Sequence, residues 1–342
     1  MRQMFMGKAF ALALGAMVGA LAGPALADDQ VKEALSQLKP ADFPSETIEI
    51  NVVYPAGGGM DINARVLARV FERITGHEVI VNNRTGGAGL VGHGYLATQA
   101  PKDGHTVGVI ANLMFADAML RAEGAWSHTD LDPIAYLNAD GLILVVNPDS
   151  PFGGMSMAEI LEKAKAEPGT VRITNVPGSM YEYMLDQLEA ETGASFLKVP
   201  FQGGAPGIAA LLGNNVDVAI AFLGEVRSHL DGNRVKPVAV SSGERSPFVD
   251  APTLNEVLDK DNIVWQATRW VAIPTGVPED RKAYLAAAFI AAAADPETQK
   301  EFEALGATPK TSYDSPEKVA ELVNRLAELE KAYFQATGRL PK

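Results

Sequence analysis

The chain has 342 residues, no cysteine and a formal net charge of −13. The missing thiols exclude disulfides, thiolate metal sites and cysteine nucleophiles. The acidic balance argues against nucleic acid, whose binding is driven by cationic contacts to phosphate, but not against a small anion held by local dipoles.

The first residues, MRQMFMGKAFALALGAMVGALAGPALADDQ, pair a positive start at Arg2 and Lys8 with an apolar run from Ala9 to Ala22. That run is short for a membrane span. Ala25-Leu26-Ala27 fits a small-x-small cleavage rule, so residues 1–27 read as a secretory signal peptide and 28–45 as a leader segment. No later segment has the apolar length of a span, so a soluble exported protein is expected. Roughly 315 mature residues suggest two domains.

After a short helix over Asp29 to Leu38, strands and helices alternate. Thr47 to Tyr54 is a predicted strand, and Met60 to Thr75 a helix with an apolar stripe at Val66, Val70, Phe71 and Ile74. Arg65, Arg69 and Arg73 share another face, read as solvated rather than as an anion patch. Glu78 to Val81 is a strand, Gly89 to Gln99 a helix and Thr106 to Ala111 a strand. Leu142 to Val146 is a buried strand closed by Asn147-Pro148-Asp149-Ser150-Pro151.

A second run follows, with strands at Val171 to Thr174, Phe196 to Val199, Val216 to Ala221 and Val235 to Ser241. Helices near Ser156 to Ala166, Tyr181 to Thr192, Ala205 to Leu212 and Glu225 to Leu230 lie among them. Trp265 to Ile273 is the last strand, and three helices end the chain near Glu279 to Ala294, Pro296 to Leu305 and Pro316 to Thr337. Such alternation implies an α/β fold with mostly parallel sheets covered on both faces. Ligands on such sheets sit beyond the carboxyl ends of strands, which selects the loops to inspect.

Tyr54-Pro55-Ala56-Gly57-Gly58-Gly59-Met60-Asp61 joins a strand to a helix. Its glycines expose amides at a helix N-terminus, where an anion such as a carboxylate is favoured. Asp61 either caps the helix or orients the loop, and capping is the expectation. Thr174-Asn175-Val176-Pro177-Gly178-Ser179-Met180-Tyr181 and Pro200-Phe201-Gln202-Gly203-Gly204-Ala205-Pro206 are similar helix entries, with Ser179 a natural N-cap. Their recurrence in both halves is what two jaws facing one cleft require.

Gly87-x-Gly89-x-x-Gly92 has the form of a dinucleotide fingerprint. It starts several residues after its strand, and the next strand ends at Ala111-Asn112 without an acidic residue for a ribose, so no nucleotide cofactor is expected. The five histidines (His77, His93, His105, His128, His229) show no paired metal spacing, and no GxSxG elbow is present. Ser36-x-x-Lys39 lies in the leader helix and reads as coincidence. No catalytic set, metal or cofactor follows. Trp265, Arg269 and Trp270 are placed to approach the cleft from the closing strand, where Arg269 either pairs a ligand carboxylate or serves the hinge.

With these loops in view, the chain resembles the substrate-binding proteins of the tripartite tricarboxylate transporters, the Bug family. The resemblance runs in order through YPAGGGMD, VIVNNRTGGAGLVGHGYLATQAPKDGHTV, LDPIAYL, NVPGS, VPFQGGAPGIAALLGNNVDVAIAF, VKPVAVSSGERSPFVDAPTLNEV and AIPTGVP. It implies a periplasmic-binding-protein fold of two α/β domains, residues 46–146 with 265–342 and residues 147–264, crossing near Asn147 and Trp265 and closing on a ligand. It assigns Tyr54, Ala56, Gly57, Gly58, Asp61 and Asn112 to ligand binding from the first domain. From the second it assigns Asn175, Gly178, Ser179, Tyr181, Phe201, Gln202 and Gly203. It further implies a protein that hands a small organic carboxylate to a large and a small membrane subunit of an ion-driven secondary transporter, and a monomer is the default expectation.

The chain departs from the family pattern at Glu182, Gln202 and Thr268-Arg269-Trp270, where many relatives have histidine, lysine and a Trp-x-Gly pattern. Two lost cations and a gained carboxylate point away from a tricarboxylate. They point toward one or two carboxylates, with a polar or cationic group near Glu182. Two other functions remain open at this level. One is a module presenting its ligand to a membrane sensor kinase, and the other is a periplasmic enzyme using carboxylates such as Asp61 and Glu182.

Overall fold

A computed structural model describes residues 28–340, except 55, 202, 262–264 and 308–311. The expected signal peptide and Gln202 therefore lie outside the described residues. Among the described residues, no helix is long and apolar enough to cross a membrane.

The chain forms two compact units. The first runs to Asn138 and takes in Thr268–Glu303 and the stretch from 308 onward; the second comprises Ala139–Ala267 and Ala304–Ala307. The first division thus falls at Asn138/Ala139 rather than at Asn147, and the second at Ala267/Thr268. The reason is a single strand, β4 (Leu131–Val146), that begins in one unit and ends in the other. Pro133, Asn138, Asp140 and Gly141 break its apolar pattern, so only its last residues read as a strand.

In the first unit, helix α1 (Asp28–Leu38) precedes β1 (Ile48–Val52), α2 (Gly59–Thr75), β2 (Val79–Asn83), α3 (Leu90–Thr98) and β3 (Thr106–Ala111). A short turn, Met114–Ala116, runs on into a π-helical turn over Asp117–Arg121. β1 pairs in parallel with both β2 and β3. β9 (Gln266–Pro274) pairs antiparallel with β3, setting Ala111 opposite Arg269. Helices α9 (Glu279–Ala294), α10 (Pro296–Ala304) and α11 (Pro316–Ala336) complete the unit.

The stripe expected on α2 is buried: Val66, Val70, Phe71 and Ile74 all lie in the core. Phe71 meets Phe289 of α9 with ring centroids 4.7 Å apart. Each such side chain contributes about 1.5–3 kcal/mol on burial. The helix stops where Gly76 turns left-handed at φ 73° and donates to Glu72 O. Its arginines are held by carboxylates: Arg65 by Asp61, Arg69 by Glu297, and Arg73 by Asp28, Asp295 and Glu297. All three arginines are exposed, as expected of a solvated face, and their surface pairs reach α1 and the start of α10.

In the second unit, α4 (Met157–Ala166), β5 (Arg172–Asn175), α5 (Met180–Thr192), β6 (Leu197–Pro200), α6 (Gly204–Leu212), β7 (Ala219–Phe222), α7 (Leu223–Asp231), β8 (Lys236–Val240) and α8 (Leu254–Leu258) follow one another. β5 and β6 are parallel, and Ile173 bridges Val218 in parallel. The end of β4 pairs antiparallel with β7 and β8. Ile143, Val145, Ile208, Leu211, Leu223 and Val226 lie in one apolar cluster there.

Candidate functional site

In the first unit, parallel pairing brings the ends of β1 and β3 to the same edge, so the Tyr54 loop and Asn112 share it. Arg269 joins them opposite Ala111. Gly57 turns the loop with φ 83°, a left-handed conformation that side chains resist. Gly58 is the N-cap of α2 and makes no side-chain cap bond. The first intrahelical bond runs from Ile62 N–H to Gly58 O, so the preceding amides at the helix start lie ahead of the ladder. Ala56, Gly57 and Gly58 are exposed.

Asp61 is not the helix cap. Its buried carboxylate reaches back to accept from Gly57 N–H at 2.8 Å and from Arg65 Nε at 2.9 Å. The other oxygen accepts from Asn83 Nδ2 at 3.0 Å, and that amide also donates to Tyr54 O. Burial pushes the Asp61 carboxyl up, but the bonds from Arg65, Gly57 and Asn83 outweigh it and hold the group below the ordinary carboxylate range. Asp61 therefore orients the loop, with both oxygens engaged inside the protein.

Behind the loop, Arg269 is buried and donates to Asn138 Oδ1 at 3.0 Å. Asn138 donates to Asn63 Oδ1 at 2.6 Å, and Asn63 donates to Gly59 O at 2.5 Å. This relay links the closing strand to the first residue of α2. Asn112 is tied to β9, accepting from Thr268 N–H at 2.9 Å and donating its own N–H to Thr268 O at 3.1 Å. Trp270 is core instead of lining: it is fully buried and stacks on Phe115 at 5.9 Å.

The Tyr54 phenol is pushed up to about 12 by burial, against the pull of the Arg121 and Arg269 guanidiniums. Beside it, His93 Nδ1 lies 2.8 Å from Asp117 Oδ2, while Asp117 Oδ1 pairs with Arg121. Arg121 also donates to Gly87 O. In the glycine-rich loop the amides of Gly89 and Val91 turn inward to Gly86 O. Those two amides close a turn and form no phosphate cradle.

In the second unit, Asn175 pairs with Pro200 in the β5–β6 register, so its loop and Phe201 emerge at one edge. Phe201 N–H donates to Asn175 O at 2.8 Å. Ser179 is the N-cap of α5, accepting from Tyr181 N–H and donating to Val176 O at 2.6 Å. Gly203 is the N-cap residue of α6 and supplies no side-chain cap of its own. Glu182 reaches back to Gly178 N–H at 2.9 Å, the same four-residue reach that Asp61 makes to Gly57. Gly178, like Gly57, is left-handed, at φ 71°.

Tyr181 is buried, and its hydroxyl donates to Glu225 Oε2 at 3.2 Å. Burial and the nearby Glu225 and Asp140 carboxylates push its phenol well above the ordinary range. Glu225 also accepts from Phe222 N–H at 2.9 Å and Gly204 N–H at 3.2 Å. Trp265 donates its indole N–H to Gln187 at 2.7 Å and its backbone N–H to Ser241 O, so it holds the second unit together. Sequence reasoning missed Asn63, Arg121, Asn138 and Glu225. Only Glu225 carried a local signal, an acid three residues past the end of a strand.

The model of a family described as tripartite tricarboxylate transporter family receptor matches residues 63–336. The match begins just after the first glycine loop and takes in both second-unit loops. The protein BugT of Bordetella pertussis is 30% identical over 220 residues, covering 63% of this chain and 67% of BugT. The solved structure of a TctC solute binding protein from Polaromonas is 27% identical, with a TM-score of 0.69 over 86% of this chain and 99% of that one. An R. palustris protein solved with adipate shares the fold, with a TM-score of 0.74 at 22% identity over 87% of this chain and 99% of its own.

Proposed function

The chain belongs to the tripartite tricarboxylate transporter receptor family, and from that premise we propose that it is a periplasmic, monomeric solute-binding protein. It captures a small organic carboxylate and delivers it unchanged to the large and small membrane subunits of a secondary transporter. The relatives support this reading: one is named a solute binding protein, and the R. palustris neighbour holds the dicarboxylate adipate. The leader residues support export.

The observation that carries the proposal is the uncapped start of α2 behind a left-handed Gly57. A carboxylate placed there meets backbone donors and the positive end of the helix dipole without needing a lysine. Asp61 supplies the loop's rigidity and not its charge, because Arg65 neutralises it. In this reading Tyr54, Ala56, Gly58 and Asn112 are the ligand-binding residues of the first unit, and Asn175, Gly178, Ser179, Tyr181, Phe201, Gln202 and Gly203 those of the second. The protein performs no chemistry on its ligand.

A thermal-shift screen of the purified protein against carboxylates, amino acids and sugars tests this. A ligand at about 100 times its Kd stabilises the fold by about 2.7 kcal/mol. The reading expects shifts confined to carboxylate-bearing compounds, with the bound compound recovered intact by mass spectrometry. A silent carboxylate panel, or turnover of the bound compound, contradicts it.

A further inference from the structure

The two carboxylates that follow the glycine turns differ in one respect. Asp61 is 2% exposed and shared among three donors, one of them the Arg65 guanidinium. Glu182 occupies the same place in its own turn, accepts from Gly178 N–H, and is half-buried. Among the described residues it has no cationic partner. It brings an uncompensated negative charge to the amide that would otherwise receive an anion.

Three further donors of these second-unit loops are engaged within the protein. Ser179 gives its hydroxyl proton to Val176 O, and Tyr181 gives its own to Glu225. Gly204 N–H, at the start of α6, is taken by Glu225 as well. Independently of the acids, Asn175 is 4% exposed at the root of the Gly178 loop, and its Oδ1 is buried without a hydrogen-bond partner. An orphaned acceptor of this kind is costly until a donor reaches it. Beside the amides of the two helix starts, these loops hold two acceptors in want of a proton donor, the Glu182 carboxylate and Asn175 Oδ1.

Resting on the carboxylate-receptor reading above, we propose that the second unit selects a ligand bearing an ammonium group in addition to its carboxylate, with Glu182 as the residue that determines the preference. An ammonium brings three donors and a positive charge, which Glu182 and Asn175 can accept. A second carboxylate would face Glu182 and find Gly178 N–H already taken.

Calorimetric titration of the purified protein with valerate, glutarate and δ-aminovalerate, and with caproate, adipate and ε-aminocaproate, tests the proposal. The amino-bearing member of a set binds at least about 10-fold more tightly than its dicarboxylate, an equilibrium factor equivalent to about 1.4 kcal/mol. Glu182→Gln retains an acceptor for Gly178 N–H, so the loop persists; it narrows the gap about 10-fold by weakening the amine and improving the dicarboxylate. The proposal is overturned if the dicarboxylate binds more tightly, if the plain monocarboxylate matches the amine, or if Glu182→Gln leaves the ranking unchanged. Silence from every compound overturns the receptor reading itself, a result distinct from an inverted ranking.

Discussion

The carboxylate of Asp61 and the amide of Gly57 lie 2.8 Å apart, four residues from each other along the chain, and this bond shapes the first unit's glycine loop. Asp61→Asn replaces one acceptor oxygen with a donor that faces either Gly57 N–H and Arg65 together or Asn83 Nδ2. The expected loss of stability is on the order of 1–3 kcal/mol by chemical denaturation, because a buried donor is left facing a donor while the half-exposed Arg65 returns to solvent. Ligand affinity falls with it. A variant of unchanged stability would show that the loop keeps its shape without this carboxylate.

The same group sets part of the acid sensitivity. Its folded pKa is held below the ordinary value, so its stabilisation is present above the unfolded carboxylate pKa and is lost as pH falls through the folded one. Asp61→Asn is therefore predicted to flatten the stability curve on its acid side. Denaturation midpoints measured from neutral pH downward check this; parallel curves for variant and parent would contradict it.

His93 acts in the same direction over a higher pH window. Burial and the Arg121 cation depress its imidazole to about 3, and Asp117's charge is already claimed by Arg121. Above the ordinary histidine pKa the group is neutral whether folded or not. As pH drops below it, the unfolded chain takes up a proton that the native one refuses, so stability falls until the folded pKa is reached, by at most about 1.4 kcal/mol per pH unit. NMR of the His93 ring carbon should show no titration between neutral pH and about pH 4. A midpoint near the ordinary value would refute this.

Gly89 has φ 111°, and a Cβ there would meet His93 Cε1 at 3.1 Å and the Tyr54 hydroxyl at 3.3 Å. Gly89→Ala is expected to cost about 1–3 kcal/mol from backbone strain alone, and to displace Tyr54 or His93 as well. Thermal denaturation and tyrosine fluorescence read the two effects. A neutral substitution would mean that the glycine turn relaxes freely.

Much of the α/β order is legible in the sequence because apolar periodicity switches between strand and helix at glycine and proline signals. The strand ends that carry the candidate loops are legible for the same reason. β4 is not, because Pro133, Asp140 and Gly141 interrupt a strand that pairing sustains. Asp61's role is hidden because it depends on a left-handed Gly57, which no local rule distinguishes from ordinary capping. The Arg269–Asn138–Asn63 relay joins residues separated by 131 and 75 positions, so only the assembled sheet brings them together.

The most direct test of the central claim is an amide-resolved NMR titration of the protein with a carboxylate that raises its melting temperature. The account predicts that the backbone amides of Gly58 and Gly59, at the uncapped start of α2, shift in step with occupancy. Binding that leaves these amides unmoved would contradict it and place the carboxylate elsewhere.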